Sequence, residues 1–162
     1  MKNIPIIDIE ASGLHFTSYP IEVAVLLKGE SRSWLIKPEP SWQFWCNTAE
    51  SMHGISRETL YKEGLPAVEV VAQLNKFLAG YAGDLYSDAH QWDADWLDKL
   101  YFAVKQQRPC FIASIYELLS SEQSQHFNDQ KLELAALDRF RHHRAESDVW
   151  MLAEAFEKAR HY

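Results

Sequence analysis

The stretch that decides the fold reads Ile4-Pro5-Ile6-Ile7-Asp8-Ile9-Glu10, a run of mostly β-branched apolar residues interrupted by two carboxylates. Such a run predicts a buried strand over Ile4–Ile9, and the period of two in a strand turns Asp8 and Glu10 to the same side. A carboxylate in an apolar strand costs free energy unless it is paired or binds a metal, and no lysine or arginine lies beside this pair in sequence. The pair therefore predicts either a metal site at the end of the first strand or a cap on the turn that follows.

Length and composition predict one globular domain over residues 1–162. The chain has 162 residues, of which 47% are hydrophobic and 24% charged, and this is enough to bury one core without staples. The net charge of -7 argues against a partner held by a basic surface alone. However, a chain that binds divalent cations through carboxylates also has an acidic net charge when the cations are left out of the sum.

The remaining composition predicts a cytoplasmic protein with no membrane contact. Cys46 and Cys110 are too few for a disulfide framework, and they form no CxxC pair that would indicate zinc. The longest apolar run, Val23–Leu27, is far shorter than the roughly 20 residues that span a bilayer. No apolar signal segment follows Met1.

The hydrophobic patterning predicts an α/β fold with a five-stranded mixed sheet flanked by helices. Three strands form a meander, an aromatic loop over 41–45 follows, and helices and strands then alternate. The predicted strands are Ile4–Ile9, Ile21–Leu27, Ser33–Ile36, Asp84–Ser87 and Cys110–Ile115. The predicted helical segments are Thr48–His53, Ser56–Thr59, one from Pro66 with Val68, Val71, Leu74 and Leu78 on its apolar face, one around Trp92–Val104, Lys131–Phe140 and Ala145–Arg160.

Two further acidic groups lie at the ends of predicted elements. Asp88 and Asp93 stand where the fourth strand gives way to a helix, where an acid is usually an N-cap. His143 and Asp148 are separated by four residues at the start of the last helix, and Asp148 lies at the edge of an apolar stripe. Each group alone also has a purely structural explanation. Asp88 and Asp93 fit helix caps, and His143 fits a surface histidine beside His142.

In this order, however, the three groups resemble the DEDDh (DnaQ-like) 3'-5' exonuclease family, which includes the proofreading subunit of bacterial DNA polymerase III, RNase T and oligoribonuclease. The resemblance covers nearly the whole chain. Ile21–Val25 is similar to the family's second strand, and Met52–Ser56 is similar to its His-Gly-Ile-Thr segment. The resemblance implies a ribonuclease H-like fold.

It also implies two metal ions bound by Asp8, Glu10, Asp93 and Asp148, with Asp8 bridging both. Carboxylate ligands suit Mg²⁺, with Mn²⁺ as a substitute, and His143 would be the general base. Because the second motif is one residue longer than the family pattern, Asp88 stays an alternative to Asp93. An acid cluster without metal repels itself, which predicts raised carboxyl pKa values.

The predicted substrate contacts lie in three segments. By resemblance, Leu14 packs against the terminal base, and His53 lines the same pocket. Ala11-Ser12-Gly13 stands where the family often has two threonines and glycine, so Ser12 retains only one of two hydroxyl contacts. The aromatic loop with Trp42, Phe44 and Trp45 either stacks unpaired bases or forms a small satellite core.

The densest basic run of the sequence lies next to the third motif and comprises Arg139, Arg141, His142 and Arg144. It predicts either contacts with substrate phosphates or a solvated helix end.

These observations predict a 3'-to-5' exonuclease acting on single-stranded DNA or RNA 3' ends. The alternative is an inactive module of the same fold that binds nucleic acid or a polymerase partner, and the family also includes homodimers. An endonuclease on this fold is a third possibility. A binding module has no physical need for the acids or the histidine, which favours the enzyme.

Overall fold

The computed structural model describes residues 4–162, so the start of the predicted domain at Met1 lies outside the described residues. The strands are β1 Ile6–Ala11, β2 Pro20–Leu27, β3 Glu30–Leu35, β4 Leu85–Ser87 and β5 Ile112–Ser114. The helices are α1 Asn47–His53, α2 Arg57–Glu63, α3 Ala67–Phe77, α4 His90–Ala103, α5 Ser121–Ala135 and α6 Ala145–Arg160, with a 3-10 turn over Ile115–Leu118.

The strands form one mixed sheet in the order β3-β2-β1-β4-β5, which confirms the predicted five-stranded architecture. The β1–β2 and β2–β3 pairs are antiparallel, whereas β4 pairs parallel with both β1 and β5. β1 is therefore central, and its carboxyl end lies beside the carboxyl end of β4. Loops after parallel strands meet at one edge of a sheet, and this edge brings the first and second acidic motifs together.

The alternation of side chains along β1 decides which layer each acid faces. Ile7 and Ile9 are buried in the core that α3 and α4 cover, whereas Ile6 is buried in the core that α5 and α6 cover. Asp8 and Glu10 share the parity of Ile6, so both face the α6 side of the sheet.

The interface between β2 and α6 fixes the start of the last helix. Glu22 is buried, and its carboxylate accepts hydrogen bonds from Arg144 Nε at 2.8 Å and from the Ala145 backbone N–H at 2.9 Å. A carboxylate at a helix N-terminus satisfies free N–H groups and interacts favourably with the helix dipole. The first turn of α6, which carries Asp148, is thereby attached to the sheet.

Two helix predictions require correction. The predicted helix over Lys131–Phe140 is wrong, because α5 spans Ser121–Ala135 and residues 136–144 form turns. Helix α5 begins at a reciprocal capping box between Ser120 and Gln123. The first turn of α5 is polar, so the apolar periodicity of the sequence does not mark this start. In α3, Val68 is exposed, and the buried face is instead formed by Ala67, Val70, Val71 and Leu74.

Within residues 4–162, none of the helices combines the length and the apolar character needed to cross a bilayer.

Candidate metal centre

An open cavity of about 320 Å³ lies at the carboxyl ends of β1 and β4, beneath the start of α6. It brings together residues of all three acidic motifs with the rim loop after β1 and with α1. Its polar lining is formed by Asp8, Glu10, His53, Asp88, His142, His143 and Asp148. Its apolar lining includes Leu14, Met52, Trp96, Met151 and Leu152.

Three of the predicted metal ligands converge in this cavity. Asp8, Glu10 and Asp148 each offer a carboxylate oxygen, and these oxygens lie within 4.8 Å of one another. The Oδ2 atom of Asp8 is buried and has no hydrogen-bond partner among the described residues. An unpartnered buried carboxylate oxygen is costly in a metal-free protein, and the oxygen donor set is the one that Mg²⁺ and Mn²⁺ prefer. The residues therefore fit a hard divalent cation.

Electrostatic crowding at the cluster matches the expectation from its composition. Burial, and next the neighbouring Asp93, raise the pKa of Asp8 well above its usual value. Burial and the Asp148 carboxylate raise the pKa of Glu10 to about 8. Burial is also the main cause that raises the pKa of Asp148 to about 7. The nearby Glu10 and Asp148 carboxylates therefore favour protonation of the cluster when no cation is bound.

These shifts predict that the metal-free protein loses stability as the pH rises. The pKa of Glu10 rises from 4.5 to about 8 and that of Asp148 from 3.8 to about 7, so the folded chain binds protons that the unfolded chain has already released. The stabilisation is full below about pH 4 and is lost as the pH passes through 7 to 8. Between pH 5 and pH 8, we expect the free energy of unfolding in EDTA to fall by about 2 kcal/mol or more.

Urea denaturation of the metal-stripped protein across this range measures the effect. The Glu10→Gln variant is the control, because it removes one of the titrating groups and should show a shallower slope. Saturating Mg²⁺ at pH 8 should restore stability. A free energy of unfolding that stays constant or increases from pH 5 to pH 8 in EDTA would show that these carboxylates do not repel one another in the folded protein.

The two aspartates of the second motif occupy different positions. Asp93, in the first turn of α4, is 2% exposed and does not line the cavity. Its Oδ2 accepts a hydrogen bond from the Ser87 hydroxyl, and no ion pair reaches it from the described residues. Burial raises the pKa of Asp93 well above its usual value. The charge of Asp93 also raises the pKa of Asp8, which lines the cavity.

Asp88, in contrast, lines the cavity with its charge already compensated. Its Oδ2 accepts a hydrogen bond at 2.9 Å from Lys131 Nζ, which also donates to the Tyr116 hydroxyl at 3.1 Å. Lys131 lies toward the carboxyl end of α5 and is remote from Asp88 in sequence. Nothing local in the sequence marks this pair, and only the packing of α5 against the sheet creates it.

His143 lies in the turn before α6 and lines the cavity beside Asp148. Its backbone is left-handed, with φ of 59°. Burial, and next the adjacent His142, lower the pKa of His143 below its usual value. Its imidazole is therefore neutral at pH 7 and able to accept a proton.

His53 and Leu14 lie on another part of the cavity wall. His53 Nδ1 accepts the Ile55 backbone N–H at 3.1 Å, so the ring hydrogen of the neutral form is on Nε2. That Nε2 atom is buried and has no partner among residues 4–162. Leu14 is 75% exposed at the rim. Among the described residues, His53 thus has an unpaired ring nitrogen at the cavity, and Leu14 has an exposed apolar side chain there.

Three predicted substrate contacts do not lie in the cavity. Ser12 is fully buried, and its hydroxyl accepts the Tyr19 backbone N–H at 3.1 Å, so it fixes the loop after β1. Trp42 is buried in the core that α3 and α4 cover, rather than in a separate satellite core, and it stacks on the Tyr19 ring at 5.4 Å. Trp45 donates its indole N–H to Glu50 at 2.6 Å and packs edge-on against the His53 ring, so it supports His53 from behind.

The basic run divides in a similar way. Arg139 pairs with Glu154, and Arg144 pairs with Glu22. Arg141 has no carboxylate within 4.0 Å among the described residues, and its guanidinium lies 3.8 Å from where a Cβ at Gly54 would be. Arg141 therefore bridges the space between the α1–α2 loop and the turn before α6.

Comparison with known proteins yields structural matches only. No protein-family model and no curated protein sequence matches the chain. The structure of E. coli exonuclease I in complex with a dA16 oligonucleotide matches with a TM-score of 0.73 and 13% identity, over 99% of this chain and 41% of that one. The dT13 complex of the same enzyme matches with a TM-score of 0.70 and 13% identity, over 97% and 41%.

Exonuclease I from Methylocaldum szegediense matches with a TM-score of 0.70 and 14% identity, over 99% of this chain and 41% of that one. The chain thus spans about two fifths of the length of these exonucleases. The ribonuclease H-like fold expected from the sequence is confirmed: the chain has the fold of the part of exonuclease I that it matches.

Proposed function

We propose that the protein is a metal-dependent 3'-to-5' exonuclease of the DEDDh type that removes nucleotides from single-stranded DNA or RNA ends. The observation that carries this proposal is the buried, unpartnered Oδ2 of Asp8 in a group of three acids, Asp8, Glu10 and Asp148, whose carboxylate oxygens lie within 4.8 Å of one another at an open cavity lined by His143. Exonuclease I crystallised with single-stranded oligonucleotides has the same fold, which supports this substrate class.

In this proposal, Asp8, Glu10, Asp93 and Asp148 hold a pair of Mg²⁺ or Mn²⁺ ions. The ions supply positive charge at the attacked phosphate and make water a better nucleophile at neutral pH. His143 takes the proton of the attacking water, for which its lowered pKa suits it.

On another part of the cavity wall, Leu14 packs against the terminal base and His53 Nε2–H donates a hydrogen bond to a substrate oxygen. Arg141 meets the phosphate of the adjacent nucleotide, because it is the residue of the basic run whose guanidinium is not engaged by a carboxylate of the described chain. These contacts would bind the terminal nucleotide and its neighbour, which an enzyme needs in order to remove single nucleotides from an end.

The test is digestion of matched 5'-labelled DNA and RNA oligomers, single-stranded and duplex, with Mg²⁺ or Mn²⁺. We expect a ladder that shortens from the 3' end, no reaction in EDTA and no cutting of a circular strand. Tight binding of the oligomers without hydrolysis under all metal conditions would replace the proposal by an inactive binding module. Cutting of the circle would replace it by an endonuclease.

The second motif can be assigned with a matched pair of variants. Among the described residues Asp93 has no compensating cation and its charge raises the pKa of Asp8, whereas the charge of Asp88 is matched by Lys131. A buried, uncompensated carboxylate needs a proton or a cation, so we propose Asp93 as the ligand. We expect Asp93→Asn to weaken Mg²⁺ binding by at least about 10-fold and Asp88→Asn by less than about 3-fold, measured by calorimetry. The reverse order of effects would assign the ligand to Asp88.

A further inference from the structure

The turn before α6 carries a second group of possible metal ligands that differs in chemistry from the carboxylate cluster. His142, His143 and Asp148 each offer one ligand atom, and these atoms lie within 4.8 Å of one another. His142 Nδ1 lies 3.3 Å from Asp148 Oδ1, and the two imidazole rings stand side by side with their centroids 3.9 Å apart.

The left-handed backbone of His143 creates this arrangement. Adjacent residues in extended backbone point in opposite directions, but the φ of 59° at His143 turns its ring back beside that of His142. The side chain of His142 is 44% exposed and that of Asp148 is 7% exposed. Asp148 is therefore the buried member of the group, and His142 is the member that solvent reaches.

The donor set of this group suits a different ion from Mg²⁺. Mg²⁺ prefers six oxygen ligands, whereas Zn²⁺ takes two imidazoles and a carboxylate in a tetrahedron whose fourth position is open. With bonds of about 2.0–2.1 Å, the edge of such a tetrahedron is about 3.3 Å. The separation of His142 Nδ1 and Asp148 Oδ1 is already 3.3 Å, so the turn needs to bring only the His143 ligand atom closer.

We propose that His142, His143 and Asp148 form a binding site for Zn²⁺ or a similar transition-metal ion, distinct in its donors from the carboxylate site and sharing Asp148 with it. In the metal-free protein, His142 and Asp148 are hydrogen-bonded to each other, and the ion would take the place of this hydrogen bond.

Sharing has a functional consequence, which rests on the proposed function. Zn²⁺ held by this group occupies Asp148 and the ring of His143 together. The same two side chains then cannot serve a Mg²⁺ pair and accept a proton, so Zn²⁺ inhibits hydrolysis even when Mg²⁺ is in excess. Occupancy of the two sites is mutually exclusive.

The test measures metal binding directly, on the metal-stripped full chain. Calorimetry with Zn²⁺, and the visible absorption of bound Co²⁺, compare the unaltered chain with His142→Ala and with the control His161→Ala. His161 is a more exposed histidine beside a carboxylate, with its Nε2 3.8 Å from Glu157. We expect His142→Ala to weaken Zn²⁺ binding by at least about 10-fold and to lose the tetrahedral Co²⁺ spectrum. His161→Ala should leave both unchanged, and Mg²⁺ affinity should change by less than about twofold in either variant.

Equal Zn²⁺ affinity and equal Co²⁺ spectra in His142→Ala and the unaltered chain would overturn the site. Unfolding midpoints in EDTA verify that the variants are folded, and His142→Gln, which retains the hydrogen bond to Asp148 but not the imidazole, gives a second comparison. If the protein hydrolyses no oligonucleotide, the proposed function and the inhibition fail, while the affinity comparison still decides the zinc site.

Discussion

Replacing Asp8 by asparagine is expected to lower nucleotide release by at least about a thousandfold and, at the same time, to raise the stability of the metal-free protein. The loss reflects the central position of Asp8 between the other carboxylates, and a thousandfold corresponds to about 4 kcal/mol of transition-state stabilisation. The gain follows because burial and Asp93 disfavour the ionised form of Asp8, whose pKa is raised. An amide carries no charge, and it places a hydrogen-bond donor among acceptors.

Opposite signs in the two measurements distinguish a metal site from a structural acid. Turnover is followed with a labelled oligonucleotide in Mg²⁺, and the free energy of unfolding is measured in EDTA at pH 8. Asp129→Asn, an exposed aspartate on α5, is the control and should change neither quantity. If Asp8→Asn destabilises the metal-free protein, the Asp8 carboxylate stabilises the fold through contacts of its own, and it is a structural acid rather than a metal ligand.

Replacing His143 by alanine is expected to reduce turnover by about 10²–10⁴-fold while Mg²⁺ affinity is retained. The imidazole is neutral at pH 7 because burial lowers its pKa, and it lines the cavity beside Asp148 without being needed for the carboxylate cluster. Loss of the ring therefore removes proton transfer rather than the ligands.

The left-handed backbone at His143 calls for a second variant. Alanine is disfavoured at φ of 59°, whereas asparagine tolerates it. His143→Asn thus keeps the turn and removes the base, and both variants should lose turnover alike, with calorimetric Mg²⁺ affinity within about threefold of the unaltered chain. Full turnover in His143→Asn would show that another group accepts the proton.

The sequence was sufficient for the sheet and for the first and third acidic groups. Asp8 and Glu10 are readable because a strand of period two makes a buried carboxylate conspicuous. Asp148 is readable because it adjoins the apolar stripe of α6, and the structure brings these three acids together. Such signals are local, and the parallel pairing of β1 with β4 follows from the order of elements.

The parts that were not predictable depend on distant packing. Ser12 and Trp42 have side chains that could bind a ligand, but both contact Tyr19 instead. The Ser12 hydroxyl accepts the Tyr19 backbone N–H, and the Trp42 ring stacks on the Tyr19 ring. The Asp88–Lys131 pair joins residues 43 positions apart, and no periodicity marks it. Side-chain satisfaction is a property of the folded neighbourhood, so residue type alone does not tell a binding group from a structural one.

The division of the cavity between β1 and α6 also makes the cluster sensitive to local opening of the fold. Asp8 and Glu10 lie on β1 and Asp148 lies on α6, so the three carboxylates meet only when the first turn of α6 is docked on the sheet. The hydrogen bond from the Ala145 backbone N–H to Glu22 is one of the contacts that hold this turn in place. Detachment of α6 alone would therefore disperse the carboxylates while the five strands stay paired.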